Sequence, residues 1–407
     1  MVSQGIIHQS HNGLFSLLPL GLRSVEKLIK IVDSHMRKLG AQKIMVPSLT
    51  DGSLWKKTGR LDTAGQEIFK VLDRHKKMFV LAPTHEESLA NILATVPVIS
   101  HRNLPLRLYQ ITNKYRDEMR PRYGLIRSKE FMMKDLYSFD ATIEMAQKTY
   151  DHVCEIYGQL LDHIGISYSR VAAPSGMMGG DQSHELHYVA DIGDDTLLTC
   201  EDCDYSWNRE VDPQLDTCKA CSSPRLKQTK GIEVANTFLL GTKYSKALSA
   251  RYVGAGSQKP VDLVMGSYGI GITRLLAAAL EVNSSSSAGL RWPLPLAPYT
   301  VLIITPKDGS KESLQTQDAG KELYLRLTSM HHLENEVLWD NRDHLSIGRR
   351  LNDAKLTGYP VVVVIGKLYV GQTPKCEVHC VDDNSVHELE IGELQQFLSQ
   401  QKYSSSS

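Results

Sequence analysis

Three prolines within seven residues, Trp292-Pro-Leu-Pro-Leu-Ala-Pro298, divide the chain into two stretches of different rhythm. Proline lacks an amide donor and fixes its own φ, so neither a helix nor a central strand runs through this segment. It reads as a linker over 292–298. Before it, helices and strands alternate without a regular βαβ repeat, which favours an antiparallel α+β core. After it, Val301–Ile304, Glu336–Trp339 and Val361–Ile365 read as buried strands between helical stretches, a compact parallel α/β unit over 299–407. A length of 407 residues gives room for both cores.

Within the first 291 residues, Leu22, Val25, Leu28, Ile29, Val32, Met36 and Leu39 recur at spacings of three and four. They predict a helix over 22–39, stopped by Gly40. Strands are expected at Lys43–Val46 and Met78–Ala82, the second leading through Pro83 into a helix. Tyr109–Glu118 and Gly124–Asp135 predict two extended arms about a basic turn. Asp140 is placed to cap a helix reaching Ile164, with Ala146, Tyr150, Val153, Tyr157, Leu160 and Leu161 facing a core. A strand near Val261–Met265, a glycine turn and a helix Thr273–Val282 follow. Asn283–Ala288, with four consecutive serines, reads as a flexible loop.

Forty-six Lys+Arg balance 46 Asp+Glu, which excludes a uniformly basic nucleic-acid coat and leaves room for a local basic patch. No apolar run approaches the ~18 residues of a membrane span, so no membrane partner is expected. Met1-Val-Ser-Gln4 shows neither a signal-peptide core nor an Arg-rich leader. Of seven cysteines, four form the pairs Cys200/Cys203 and Cys218/Cys221, with fourteen residues between the pairs. Two close thiolate pairs suit a closed, tetrahedral zinc site in a reducing compartment. Cys154, Cys376 and Cys380 read as core or surface thiols.

Three further segments carry possible chemistry. Thr84-His-Glu-Glu87 fits a capping box, Thr84 accepting from a backbone amide while Glu87 reaches back. That leaves Glu86 unexplained, and a carboxylate at a strand's mouth suits a substrate ammonium. Arg107–Lys134 holds eight basic residues and three acids. It is either a solvated charged hairpin or a polyphosphate site, because the planar guanidinium pairs bidentately with phosphate. Gly266-Ser-Tyr-Gly-Ile-Gly-Ile-Thr-Arg274 lets backbone approach a ligand. It lacks the third small residue and the following acid of a dinucleotide fingerprint.

Taken together these segments resemble the class II aminoacyl-tRNA synthetases, and within them the prolyl-tRNA synthetase family of bacterial and mitochondrial type. Helix 22–39 with Lys43–Pro47 resembles the family's dimer-forming motif 1. Tyr115-Arg116-Asp117-Glu118 with Arg127–Phe131 resembles motif 2, and Gly266–Arg274 motif 3. The strings Pro83-Thr-His-Glu-Glu87, Arg120–Arg127, Met133–Phe139 and Leu240–Ser245 are similar to prolyl-type sequences. Asp340-x-Arg342, Ile347-Gly348, Asp353-Ala354 and Gly358-Tyr-Pro360 resemble the class IIa anticodon-binding domain.

The resemblance implies a class II antiparallel sheet flanked by helices over 1–291, with a small Cys-rich insertion at about 198–230. It also implies a C-terminal α/β anticodon-binding domain, and a homodimer. The implied reaction joins L-proline to tRNA(Pro) through a prolyl-adenylate, using ATP and Mg²⁺ and releasing AMP and pyrophosphate. Arg116 and Arg274 would be catalytic. Thr84, Glu86, Arg116, Asp135, Tyr137, Ser267 and Gly269 would bind proline. Arg116, Glu118, Arg127, Phe131, Glu233, Asn236, Thr237, Gly271 and Arg274 would bind ATP. Gly179-Gly180 and Ser183-His184-Glu185 resemble a family segment that would fall at the site's rim.

Ala235-Asn236 stands where many relatives carry Gly-His, and Ser267 where many carry Cys. About thirty residues between Asp202 and Lys230 are too few to enclose a separate editing pocket. The compact layout points to the mitochondrial matrix, with a bacterial cytoplasm as the alternative. A class IIa ligase for another amino acid, or a catalytically inactive synthetase-like nucleic-acid-binding subunit, are the other readings. Decayed relatives usually lose the ATP arginines or the Thr-x-Glu, and this chain keeps Arg116, Arg274, Thr84 and Glu86.

Overall fold

The computed structural model describes residues 1–63, 65–97, 99–180, 182–254, 259–284 and 288–400. Among them, nine strands form the main sheet: β1 Gln42–Lys43, β2 Leu106–Tyr115, β3 Glu130–Asp140, β4 Ser169–Ala172, β5 Gln182–Val189, β6 Asp195–Cys200, β7 Ser206–Asn208, β8 Leu226–Gly241 and β9 Val264–Gly271. They lie in the order β5-β4-β7-β6-β8-β9-β3-β2-β1, and β5 also pairs with β8. Only the β1–β2 and β4–β7 pairings are parallel. The expected antiparallel α+β core is present.

Three helices, α1 Pro19–Lys38, α3 Ile143–Ile164 and α4 Ile272–Ser284, cover one face of this sheet. α1 starts with proline at its first turn, where a missing amide donor is harmless. Val25, Leu28, Val32 and Met36 are fully buried there, whereas Leu22 lies outside the apolar stripe and is exposed. α3 buries Ala146, Tyr150, Val153, Tyr157, Leu160 and Leu161 as their spacing predicts. Its cap is Thr142, whose side chain accepts from the Met145 amide, and not Asp140. Asp140 is still paired with Val264 in the sheet, and its carboxylate accepts from the Thr149 hydroxyl at 2.8 Å. Helix α2, Glu86–Thr95, packs on the other face with Leu89, Ala90 and Leu93 against Phe139, Tyr244 and Met265.

The glycines of Gly266–Gly271 form no turn. They lie within β9, between β8 and β3, and α4 begins only at Ile272. Their smallness is what matters: a Cβ on Gly266 would sit 2.1 Å from the Tyr268 hydroxyl, and one on Gly269 2.7 Å from Asn236 Oδ1. The strand expected at Lys43–Val46 is limited to the two residues of β1. Beyond it, the Val46 amide bonds the Gln110 side chain at 3.1 Å.

Past the proline-rich segment lies a five-stranded sheet: β10 Val301–Ile304, β11 Val337–Asp340, β12 Val361–Val364, β13 Lys375–Cys380 and β14 Val386–Glu390. Its order is β11-β10-β12-β13-β14. The first three strands are parallel as expected, but β13 and β14 are antiparallel, so the sheet is mixed. Burial alternates residue by residue over Val386–Glu390, as on a half-buried edge strand. Residues 292–298 are packed rather than loose: Trp292, Leu296 and Ala297 are buried in the large core. Lys27 of α1 bonds the Ala297 carbonyl at 2.7 Å and Glu336 at 2.8 Å. Of the two serine runs, residues 285–287 and 404–407 lie outside the described residues.

Candidate active site

Side chains along a strand alternate between faces, and β3 uses both. Leu136 enters the helix-side core, and Lys134 donates to the Tyr157 hydroxyl on that same side. Asp135 and Tyr137 open on the opposite face. Register places Gly269 beside Asp135 and Ser267 beside Tyr137, so β9 supplies a small-residue floor next to them. Phe131 precedes Asp135 by four residues on that face, a span of about 13 Å at roughly 3.3 Å per residue.

The Asp135–Tyr137 end is lined by carboxylates. Glu86 is fully buried and accepts from Thr84 at 2.5 Å, Ser267 at 2.8 Å and Arg60 at 3.0 Å. Asp135 accepts from Gln110 at 3.0 Å and Tyr137 at 2.9 Å, and pairs with Lys114 at 2.7 Å. Burial alone would raise the Asp135 carboxyl; the His85 imidazole and the Lys114 ammonium outweigh it and hold the group at about 2. Burial drives the Tyr137 phenol well above its ordinary range, so it stays a neutral hydroxyl that also accepts from the His85 amide at 2.8 Å. Three buried carboxylates, Glu86, Glu87 and Asp135, face two buried cationic side chains, Arg60 and Lys114. One negative charge is left over, which suits a cationic substrate group.

The capping box does not form. The residue before α2 is His85, without a side-chain cap bond. Thr84 bonds Glu86, and Glu87 bonds Thr58 and Arg60. The charged partners on offer outcompete a solvent-edge cap.

At the Phe131 end a cleft of about 630 Å³ is lined by Arg116, Glu118, Arg127, Glu233 and Arg274, among others. The Arg116 guanidinium lies 5.2 Å from the Phe131 ring centroid and has no side-chain hydrogen bond or ion pair among the described residues. Burial, with the nearby charge of Arg274, lowers it below its ordinary value. An arginine under that pressure is a ready anion site. Arg274 is anchored by the Ile126 carbonyl at 2.8 Å and Glu233 at 3.2 Å. Asn236 bridges Glu233, at 2.9 Å, to the Gly269 amide, at 3.1 Å. Gly271 runs past the Arg274 stem, where its own Cβ would come within 3.3 Å.

Other sequence-predicted residues are engaged elsewhere. The Thr237 side chain is on the helix-covered face, hydrogen-bonded to the Tyr150 hydroxyl at 2.8 Å and to the His184 carbonyl at 3.2 Å. Strand alternation removes it from the cleft, so only its backbone can serve a nucleotide. Glu118 and Arg127 pair with each other at 2.9 Å, and Arg127 pairs with Asp194 at 2.8 Å. A ligand on either must exchange with these partners. His184 lies with Thr237 on the helix side, and Glu185 bonds His187 at 2.9 Å. Lys243 donates to the Met177 and Met178 carbonyls and lies against Gly179, so the loop before Gly179-Gly180 abuts the Glu86 pocket.

Arg60, Lys114, Gln110 and His85 were not singled out from sequence as site residues. Arg60 follows Lys56-Lys57-Thr-Gly59 and reads there as a solvated charge. Gln110 and Lys114 lie four positions apart on one face of an arm that also carries Arg107, Thr112 and Asn113, so nothing in the sequence sets them off.

The four cysteines Cys200, Cys203, Cys218 and Cys221 bring all their sulfurs within 4.8 Å of one another. Cys200–Cys221 and Cys203–Cys218 are 3.5 and 3.6 Å apart. A tetrahedron with Zn–S of about 2.3 Å has edges of about 3.8 Å, so the set fits zinc. Amides of Asp202 and Ala220 point at the Cys200 and Cys218 sulfurs, as thiolates require. Beneath lie Leu198 and Trp207, the latter stacked on Tyr205.

Residues 69–283 match the class II tRNA synthetase core domain family (G, H, P, S and T), and residues 300–401 the anticodon binding domain family. The probable mitochondrial proline–tRNA ligase of Rattus norvegicus is 46% identical over 369 residues, 90% of this chain and 77% of that one. That of Homo sapiens is 44% identical over 388 residues, 95% of this chain and 81% of that one. The proline–tRNA ligase of Sulfurimonas denitrificans is 37% identical over 389 residues, 90% and 86% of the two chains. A solved Giardia lamblia prolyl-tRNA synthetase, in complex with prolyl-adenylate, superposes with a TM-score of 0.79 at 20% identity, covering 97% of this chain and 74% of that one. With two family matches in the expected order and close relatives along nine-tenths of its length, the chain belongs to the proline–tRNA ligase family of class II aminoacyl-tRNA synthetases.

Proposed function

We propose that the chain ligates L-proline to tRNA(Pro) with ATP, through a prolyl-adenylate, releasing AMP and pyrophosphate. One observation carries this: Arg116, unpaired among the described residues, and Arg274 line one cleft on the sheet face that also bears the surplus negative charge around Glu86. Glu86 and Thr84 receive the imino group, with Asp135, Tyr137, Ser267 and Gly269 shaping the pocket. Arg116 neutralises the proline carboxylate and α-phosphate, with Phe131 under the nucleotide. Arg274, oriented by Glu233 and Asn236, closes the opposite side. Arg127, released from Glu118 and Asp194, takes the outer phosphates. The carboxylate attacks the α-phosphorus in line, so positioning and charge neutralisation do most of the work. Mg²⁺ would neutralise the outer phosphates.

Residues 1–291 form the catalytic unit and 299–407 the anticodon-binding unit in this proposal, joined through 292–298. Zinc on the four cysteines is structural. No part of the Cys-rich insertion serves editing. The protein acts as a homodimer, and exposed Met45 and Leu49 beside the β1 edge support that. The mitochondrial names of the relatives support the mitochondrial matrix as its place. Amino-acid-dependent ATP–pyrophosphate exchange against a panel of amino acids tests the function. Proline alone should drive full exchange; exchange with another amino acid only, or with none, would overturn it.

A further inference from the structure

We propose that Arg60 and Glu87 are positioning residues that set the charge of the amine pocket: Glu87 neutralises Arg60, so that the neighbouring Glu86 presents a full negative charge to the substrate. The inference rests on the assignment of the proline amine to Glu86. Arg60 is buried and its NH1 lies 3.0 Å from Glu86 Oε2 and 3.1 Å from Glu87 Oε2. Its guanidinium is clamped over Trp55, with the carbon 4.6 Å from the ring centroid, and against Tyr244 at 5.6 Å. Thr58 fixes Glu87 from behind at 2.9 Å. One cation is therefore shared by two adjacent buried carboxylates.

Sharing matters because a substrate ammonium and Arg60 compete for the same acceptor. With Arg60 alone against Glu86, the pair would be neutral and the incoming cation would have to break a buried ion pair. With Glu87 present, Arg60 keeps a partner when Glu86 turns to the substrate. The remaining charged or titratable groups around the couple are few. Lys114 is spent on Asp135, which His85 also faces, and Tyr137 and Tyr244 are kept neutral by burial. Lys243, exposed, is engaged by the Met177 and Met178 carbonyls. Burial followed by the charge of Arg60 and of Glu86 governs the Glu87 carboxyl, which ends above its ordinary value. Without Arg60, the burial that raises Glu87 is unopposed, and Glu87 takes up a proton beside Glu86.

The test is steady-state exchange with Glu87→Gln, Arg60→Lys and Arg60→Met, with melting curves to verify folding. Glu87→Gln should raise KM for proline about ten- to a hundredfold, the worth of a charge-assisted bond, with kcat and KM for ATP near wild type. Arg60→Lys keeps the cation and should hold the pH profile of wild type. Arg60→Met should make KM for proline fall as pH rises through neutrality, because loss of the Glu87 proton adds a second negative charge beside the substrate cation. An unchanged proline KM in folded Glu87→Gln would overturn the inference, as would a wild-type pH profile in folded Arg60→Met. Wild type run alongside separates the two claims: no proline-dependent exchange by wild type sinks the functional assignment itself.

Discussion

Arg116 bears the largest burden of any single side chain, because it has no side-chain hydrogen bond or ion pair among the described residues. Arg116→Ala should lower exchange by about 100-fold or more, the usual loss on removing a preorganised transition-state donor. Folding should change little, since the residue makes no ion pair to lose; near-wild-type exchange would remove it from the site. Asp135 makes a different demand. Its carboxyl is held at about 2 against an unfolded value of 3.8. It therefore contributes stability above the ordinary value, and that contribution disappears as pH falls from about 4 to about 2. Denaturant melts across that interval should show a shallower acid loss in Asp135→Asn than in wild type; identical slopes would contradict the assignment. Residue types at these positions were legible from sequence through the family strings. The partners were not: Arg60 meets Glu86 across 26 residues and Ser267 meets it across 181, distances that no local pattern encodes.

At the level of elements, helices were the most legible part, because α1 and α3 show their apolar stripes plainly. The glycine run misled for a physical reason. Glycine serves turns and close-packed strands alike, and only the neighbouring Tyr268 and Asn236 reveal that β9 needs room rather than flexibility. Thr237 misled likewise, since one step along a strand moves a side chain to the other face. The cysteine module, by contrast, was readable from spacing alone. If it holds zinc, metal analysis should find about one zinc per chain, and chelation should lower the melting temperature. Exchange activity should survive below the new melting point, because the four sulfurs make no contact with the amine pocket. A metal-free protein with an unaltered melting curve would contradict the zinc site.

For the whole molecule, the two main sheets and their succession along the chain followed from the change of rhythm at the proline-rich segment. The burial of that segment did not, because Leu296 meets α1 and α3, and Trp292 the Thr357 carbonyl, only after folding. The compact layout has a functional consequence. Rejecting a smaller amino acid by size alone is weak, as missing methylenes are worth about 1–3 kcal/mol each. Alanine should be activated detectably, and alanyl-tRNA(Pro) should persist when incubated with the pure enzyme; rapid deacylation would reveal an editing site. The central claim is that Arg116 and Arg274 converge on a nucleotide whose amino-acid end reaches Glu86. It is tested most directly by a crystal structure with a non-hydrolysable prolyl-adenylate analogue. The expected result has the phosphate mimic hydrogen-bonded to Arg116, the purine between Phe131 and Arg274, and the ring nitrogen within hydrogen-bond reach of Glu86. An analogue bound away from either arginine, or with its ring nitrogen turned from Glu86, would contradict it.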